Sequence, residues 1–245
     1  MTPQVIVPAL TPLDRSGSVD RYAARRYSRR AAATWIDAFL LSGSTTRGDL
    51  LSVSQRAQVL DAWLQDVPPS RLIACCWQPG DIEVAHARQV RAMMVMRDLP
   101  DRDAALRFLA DLPPQTTVYS HPMYTATVLD ADLATDAAAA GVLPPGGKVA
   151  KISLDGIARL RLAAGAHFAL WDGSSRHVAE SVRAGASGVI ATPLSDLPEP
   201  FPARSVATLQ PVLDASQAHL DALPGRTQRT EWLVRRAFHP APTPR

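Results

Sequence analysis

Eight short apolar runs recur along this 245-residue chain, and stretches with helical periodicity separate them. The strand-like runs cover residues 4–10, 37–42, 71–77, 92–96, 116–120, 148–153, 167–172 and 188–191. Helical stretches follow all but the last, over 19–33, 52–64, 81–90, 101–112, 129–140, 156–164 and 176–183, with Ser52 as an N-cap. Strands that alternate with helices pair in parallel, because a parallel neighbour is reached only through a long crossover. Eight such units predict an α/β fold, a (β/α)8 TIM barrel. An open doubly wound sheet is the competing architecture. It ranks lower because no Gly-x-Gly-x-x-Gly follows the first run.

After the eighth run the pattern changes. Residues 205–223 read as an amphipathic helix and 229–238 as a shorter one, while His239–Arg245 carries three prolines and is expected to be a disordered tail. The predicted organisation is a barrel catalytic domain over 1–200, a shortened C-terminal helical extension over 201–238, and the tail.

Hydrophobic residues make up 47% of the chain and charged residues 20%, enough to bury a sizeable core. The net charge is only +3, and the densest basic run, Arg25-Arg26 to Arg29-Arg30, reads as the solvated face of a helix. No nucleic-acid partner is expected. Cys75 and Cys76 are adjacent, which does not suggest a structural disulfide, and no Cys/His spacing fits zinc. No apolar run spans a bilayer, and the N-terminus is strand-like, so the reading is no membrane and a cytoplasmic protein.

Lys148 and Lys151 are the only lysines, against twenty-four arginines. Arginine cannot lose its proton in a protein, whereas a lysine among apolar neighbours becomes a free amine able to attack a carbonyl. In a strand the two would face opposite sides. With the run taken as 148–153, Lys151 points into the barrel near the strand's C-terminal end and Lys148 points outward near its start. Two ordinary surface lysines are the bland alternative.

Barrel enzymes work at the C-terminal ends of their strands. Reactive residues collect there: Thr11, Gly43-Ser44-Thr45-Thr46, Tyr119-Ser120-His121-Pro122, Lys151 and Asp172-Gly173-Ser174. A lysine and a tyrosine on neighbouring strand ends suit Schiff-base chemistry, the amine forming an imine and the phenol moving protons. His121 reads as a turn residue before Pro122 rather than a base, Asp172 as a strand-end hydrogen-bonding group, and Met93–Met96 as core.

From Met1 to about Pro198 the chain resembles the dihydrodipicolinate synthase/N-acetylneuraminate lyase superfamily of Schiff-base aldolases. The resemblance rests on Ala9-Leu10-Thr11-Pro12 followed by Gly17-Ser18-Val19-Asp20, Gly43-Ser44-Thr45, Tyr119-Ser120-His121-Pro122-x-x-Thr125, Lys151-Ile152-Ser153, the glycine of Asp172-Gly173-Ser174, and Ala184-Gly185-Ala186-x-Gly188-Val189-Ile190. It implies a class I aldolase or lyase acting on pyruvate or a related 2-oxo acid with an aldehyde partner. Catalytic roles fall to Lys151 as the imine former and Tyr119 as the proton-transfer residue. Ser44 and Thr45 would bind the carboxylate, with the Ile190 carbonyl and Gly173 beside it. No metal or organic cofactor is implied, and a homo-oligomer is allowed for.

The chain also departs from the pattern. Gly43-Ser44-Thr45-Thr46-Arg47 stands where Gly-Thr-Thr-Gly-Glu is usual, and Ser120 replaces an asparagine. Tyr124 occupies the place of the arginine that holds a second carboxylate, which argues against the lysine-pathway synthase and for an uncharged acceptor. Arg47 is either a salt-bridge partner or a substrate-anion binder. The tyrosine-bearing loop after the fourth strand is deleted at Met96-Arg97-Asp98-Leu99-Pro100. That loss motivates the alternative, a catalytically impaired barrel that binds a 2-oxo acid in a regulatory role.

Overall fold

A computed structural model describes residues 3–238, so the tail expected at 239–245 lies outside the described residues. Eight parallel strands close into a barrel in chain order: β1 (Gln4–Pro8), β2 (Ala38–Leu41), β3 (Leu72–Cys76), β4 (Arg91–Val95), β5 (Thr117–Ser120), β6 (Gly146–Val149), β7 (Ala169–Asp172) and β8 (Gly188–Ile190). β8 returns to β1, with Ile190 beside Ile6, so no edge of the sheet is left open. The expected (β/α)8 barrel is the architecture found, and the β1–β8 ladder excludes the open sheet.

Between the strands run α1 (Arg21–Ala32), α2 (Val53–Trp63), α3 (Pro79–Ala87), α4 (Arg102–Ala110), α5 (Ala131–Ala139), α6 (Leu154–Ala164) and α7 (Val178–Arg183). α8 (Val206–Ala222) and α9 (Arg226–Phe238) follow the last strand. The helix starts are written in the sequence. Asp20, Ser52, Asp101, Asp130, Ser153 and Ser205 each accept a hydrogen bond from the backbone N–H three residues on. Such a cap contributes about 1 kcal/mol and sets the first turn.

The sixth run is where the structure corrects the expected boundaries. The strand is Gly146–Val149, not 148–153, and Ser153 caps α6 instead of ending a strand. Gly146 and Gly147 lie inside the sheet, and a Cβ on Gly146 would stand 2.6 Å from the Ala169 carbonyl oxygen. Lys151 lies beyond the strand with φ +61, a left-handed conformation in which strand alternation no longer applies. The second C-terminal helix also starts at Arg226, one turn before the expected Arg229.

Two apolar layers hold the barrel. Ile6, Leu40, Ile73, Met93, Tyr119 and Trp171 fill the interior, while Val7, Phe39 and Trp63 pack between strands and outer helices. The Met93–Met96 run serves both layers and is buried throughout, as expected of core. The C-terminal helices share the outer layer through Leu209, Leu213, Leu233 and Phe238. Phe238 packs 5.2 Å from the ring of Tyr27 on α1, and Arg236 pairs with the buried Asp196 at 2.6 Å. These contacts fix one end of α9, and its other end reaches the mouth of the barrel. Among the described residues no helix is long and apolar enough to cross a membrane.

Candidate active site

The register of β5, β6 and β7 places three side chains side by side in the barrel interior: Tyr119, Lys148 and Trp171. Lys148 is 5% exposed, and its Nζ stands 3.8 Å from the centre of the Tyr119 ring. No carboxylate pairs with it among the described residues. Burial is the main cause of a pKa lowered from 10.5 to about 8, slightly opposed by Cys75. A useful fraction of this amine is therefore free near neutral pH. Lys151, by contrast, is exposed at the cavity rim. The inward and outward assignments of the two lysines are thus reversed from expectation. Pairing with Tyr119 and Trp171 turns Lys148 inward, and the end of the strand at Val149 leaves Lys151 outside any strand.

Tyr119 is 2% exposed and shares a hydrogen bond of 3.0 Å with the Ser44 hydroxyl. Burial raises its pKa, so the phenol keeps its proton at all working pH values. Ser44 and Thr45 belong to a 3-10 turn, Ser44–Thr46, between two left-handed residues, Ser42 (φ 54) and Arg47 (φ 56). Left-handed non-glycine residues cost roughly 1–2 kcal/mol each and persist where surrounding contacts over-determine them. Gly48 supplies one such contact. A Cβ there would meet the Ser42 carbonyl oxygen at 1.7 Å, so only glycine lets the chain fold back. Arg56 supplies another, buried with Asp81 at 2.8 Å while donating to the Gly48 carbonyl at 3.0 Å and to that of Leu51.

The third support is a residue that the sequence gave no reason to select. Arg226, on the first turn of α9, donates from Nε to the Ser44 carbonyl at 3.0 Å and from Nη2 to Asp49 at 2.6 Å. One turn later the Thr230 hydroxyl donates to the Thr45 carbonyl at 2.5 Å. Arg226 thus enters the cavity across 182 residues of sequence, from what reads as the approach to a helix. Arg47, the cation singled out in the sequence, does not line the cavity. Its guanidinium turns to Asp49 at 3.3 Å, so of the two expected roles the structure has the salt-bridge partner and not the substrate-anion binder.

The remaining candidates gather as expected. Ser44, Thr45, Tyr119, Tyr124, Gly173 and Ile190 all line one cavity of about 840 Å³ at the C-terminal end of the barrel. Tyr124 stacks edge-on with Trp77 at 5.2 Å and with Tyr119 at 6.0 Å, forming an aromatic wall, and its hydroxyl is buried without a partner. His121 accepts the Met123 N–H on Nδ1, so the turn reading holds. Burial, followed by the charges of Lys148, Lys151 and Arg226, depresses its pKa to about 4. Asp172 accepts from the Ser181 hydroxyl at 2.6 Å and the Ser174 N–H at 2.9 Å, and burial raises its pKa. It is a strand-end hydrogen-bonding group. Among the described residues no His, Cys, Asp or Glu cluster is arranged to hold a metal ion.

The fold is one shared with lyases. No protein-family model and no curated protein matches the chain. Among solved structures it superposes on a dihydrodipicolinate synthase family protein from Coccidioides immitis, with 20% identity, 96% of this chain and 77% of the other covered, and a TM-score of 0.71. A double variant of 2-keto-3-deoxygluconate aldolase from Sulfolobus solfataricus gives 16% identity, 95% and 85% coverage, and a TM-score of 0.73. Dihydrodipicolinate synthase from Aquifex aeolicus gives 18%, 94%, 78% and 0.69. The TM-scores show a common fold, and identities of this size show nothing finer.

Proposed function

We propose that the protein is a class I aldolase or lyase of the dihydrodipicolinate synthase/N-acetylneuraminate lyase type, with Lys148 as its imine-forming residue. The observation that carries this reading is the buried amine of Lys148 against Tyr119, open to a cavity lined by Ser44 and Thr45. An ordinary core lysine would be joined to a carboxylate or replaced by an apolar residue, because burying the charge is costly. Retaining an unpaired amine there makes sense if it must be a nucleophile.

In this reading the free amine of Lys148 attacks the keto carbon of a 2-oxo acid. The carbonyl oxygen takes up two protons and leaves as water, giving an iminium. Loss of a proton from C3 makes the enamine, and C3 then attacks an aldehyde carbon, whose oxygen is protonated. Water hydrolyses the new imine and releases a 4-hydroxy-2-oxo acid; the reverse sequence is cleavage. The lysine is the electron sink, so this chemistry calls for no metal or organic cofactor. Tyr119 supports the proton transfers as a phenol held neutral, in a chain with the Ser44 hydroxyl. Hydroxyls and backbone N–H groups of the Ser44–Thr46 turn are suited to the acid's carboxylate, and the Ile190 end of β8 lines the same cavity.

The test is borohydride reduction of the full chain with pyruvate, followed by peptide mapping. A covalent adduct on Lys148, together with turnover of an aldol, supports the enzyme. An adduct with no turnover of any aldehyde would favour a 2-oxo-acid-binding barrel, and no adduct would remove the Schiff-base reading.

A further inference from the structure

Helix α9 grips two consecutive carbonyls of the Ser44–Thr46 turn. The Arg226 Nε donates to that of Ser44 at 3.0 Å, and the Thr230 hydroxyl to that of Thr45 at 2.5 Å. Among the described residues no other side chain donates to either oxygen, and within the turn the Arg47 N–H reaches the Ser44 carbonyl at 3.3 Å. Arg226 also binds Asp49 through Nη2 at 2.6 Å, so one guanidinium joins the chain on both sides of the left-handed Arg47. Two bonds from a planar fork fix its orientation. Thr230 lies one helical turn on, on the same face of α9.

A trans peptide unit directs its N–H opposite to its carbonyl. Holding the carbonyls of Ser44 and Thr45 therefore also sets where the N–H groups of Thr45 and Thr46 point. With the Ser44 hydroxyl, which meets Tyr119, these are the donors that the carboxylate of a 2-oxo acid would use. The turn needs such support, because Ser42 and Arg47 on either side of it are left-handed without being glycine. Left to relax, its donors would have to be ordered each time the acid bound, at a cost in affinity.

We propose that α9 is a clamp on the carboxylate turn, with Arg226 and Thr230 as its positioning residues, so that docking of this helix and binding of the 2-oxo acid strengthen each other. This rests on the Schiff-base reading and names the residues that set its affinity for the acid. Coupling of this kind is reciprocal: a helix that raises affinity for the acid is itself held down by the acid, by the same factor. The nucleophile stands outside the clamp. The register of β5 and β6, not α9, places Lys148 beside Tyr119. Imine formation with a ketone that has no carboxylate is therefore independent of α9.

The experiment follows reductive trapping on Lys148 in the full chain, with cyanoborohydride, against the concentration of pyruvate and separately of acetone, which lacks the carboxylate. Arg226→Gln should raise the half-saturating pyruvate roughly tenfold or more, the size of a lost charge-assisted hydrogen bond. The trapping rate at saturation should stay as it is. Arg226→Lys, able to donate to one of the two partners, should fall between. Thr230→Val should cost about threefold, as for a neutral hydrogen bond. The second-order rate with acetone should be unchanged in all three. In the parent, pyruvate should slow hydrogen exchange of the α9 amides by at least the factor that Arg226→Gln costs, and more than at α4, which lines no part of the cavity. An unchanged half-saturation in Arg226→Gln would overturn the proposal, as would an equal loss with acetone, the mark of general damage. Where a variant does not fold, the exchange measurement decides, and α9 amides indifferent to pyruvate overturn the clamp. No trapping of pyruvate in the parent would remove the Schiff-base reading itself; trapping that is indifferent to α9 removes only the clamp.

Discussion

The amine of Lys148 lies 3.8 Å above the centre of the Tyr119 ring, two residues paired in register on adjacent strands and both closed off from solvent. The electron-rich face of the phenol partly compensates the charged form of the amine, while burial favours the neutral one. Burial wins, as the lowered pKa records. The same pairing puts the phenolic oxygen at the Ser44 turn. The buried amine and the Ser44 turn are thus joined through one tyrosine.

Lys148→Arg should abolish both the borohydride adduct and turnover, since a guanidinium stays protonated. Lys151→Arg should leave the adduct in place, because Lys151 lies exposed at the rim. Mapping of the adduct to Lys151 would sink the assignment.

Tyr119→Phe should retain the fold, since it removes one hydroxyl and keeps the ring that packs in the interior. Turnover should fall by about 10²–10⁴-fold, the range for a lost acid–base group. Activity within a few-fold of the parent would leave Tyr119 as packing alone.

The pH dependence follows from Lys148. A pKa of about 8 in the fold predicts a rising limb of kcat/KM centred near pH 8. Stability changes in the same direction. Below pH 8 both folded and unfolded chains hold the proton, and the buried charge is a full penalty. Between pH 8 and 10.5 only the unfolded chain binds it, so stability rises with pH. Lys148→Met should therefore stabilise the fold at pH 7 by roughly 3 kcal/mol, from the 1.4 kcal/mol per pKa unit, with the gain disappearing toward pH 10.5. Urea unfolding at three pH values measures it. An inactive variant no more stable than the parent at pH 7 would contradict this account of the buried charge.

Asp81→Ala should be among the costliest changes outside the cavity. It strands the buried Arg56, which also holds the Gly48 and Leu51 carbonyls. Leaving one partner of a buried pair uncompensated costs about 3–5 kcal/mol. Asp98→Ala, which breaks the exposed pair with Arg97, should cost under about 1 kcal/mol. Comparable unfolding midpoints for the two variants would show that the Arg56 network is not what holds the Ser44 turn.

Much of this was written locally. The eight apolar runs, the polar caps that begin six helices, and the collection of hydroxyl and aromatic residues at strand ends follow from short-range chemistry. So do the barrel and the positions of Ser44, Thr45, Tyr119, Tyr124, Gly173 and Ile190 around one cavity. Even the choice of the two lysines as the unusual residues was legible, because the chain otherwise uses arginine for positive charge.

Which lysine faces inward was not legible. It depends on where β6 starts, and that is set by how closely Gly146 approaches Ala169 on the next strand, a contact between residues 23 apart. Alternation puts the two lysines on opposite faces without saying which face is inward, and a strand that ends at Val149, four residues before the expected end, leaves Lys151 outside it. Arg226 was equally hidden, because nothing near it in the chain tells of Ser44 and Asp49. Only the packing of Phe238 on Tyr27 and of Arg236 on Asp196, far along the same helix, aims its first turn at the mouth. The sequence by itself determined the elements, their order and the chemistry available at their ends. The tertiary structure decided which amine is buried and which cation completes the site, because both depend on contacts between segments that are distant along the chain.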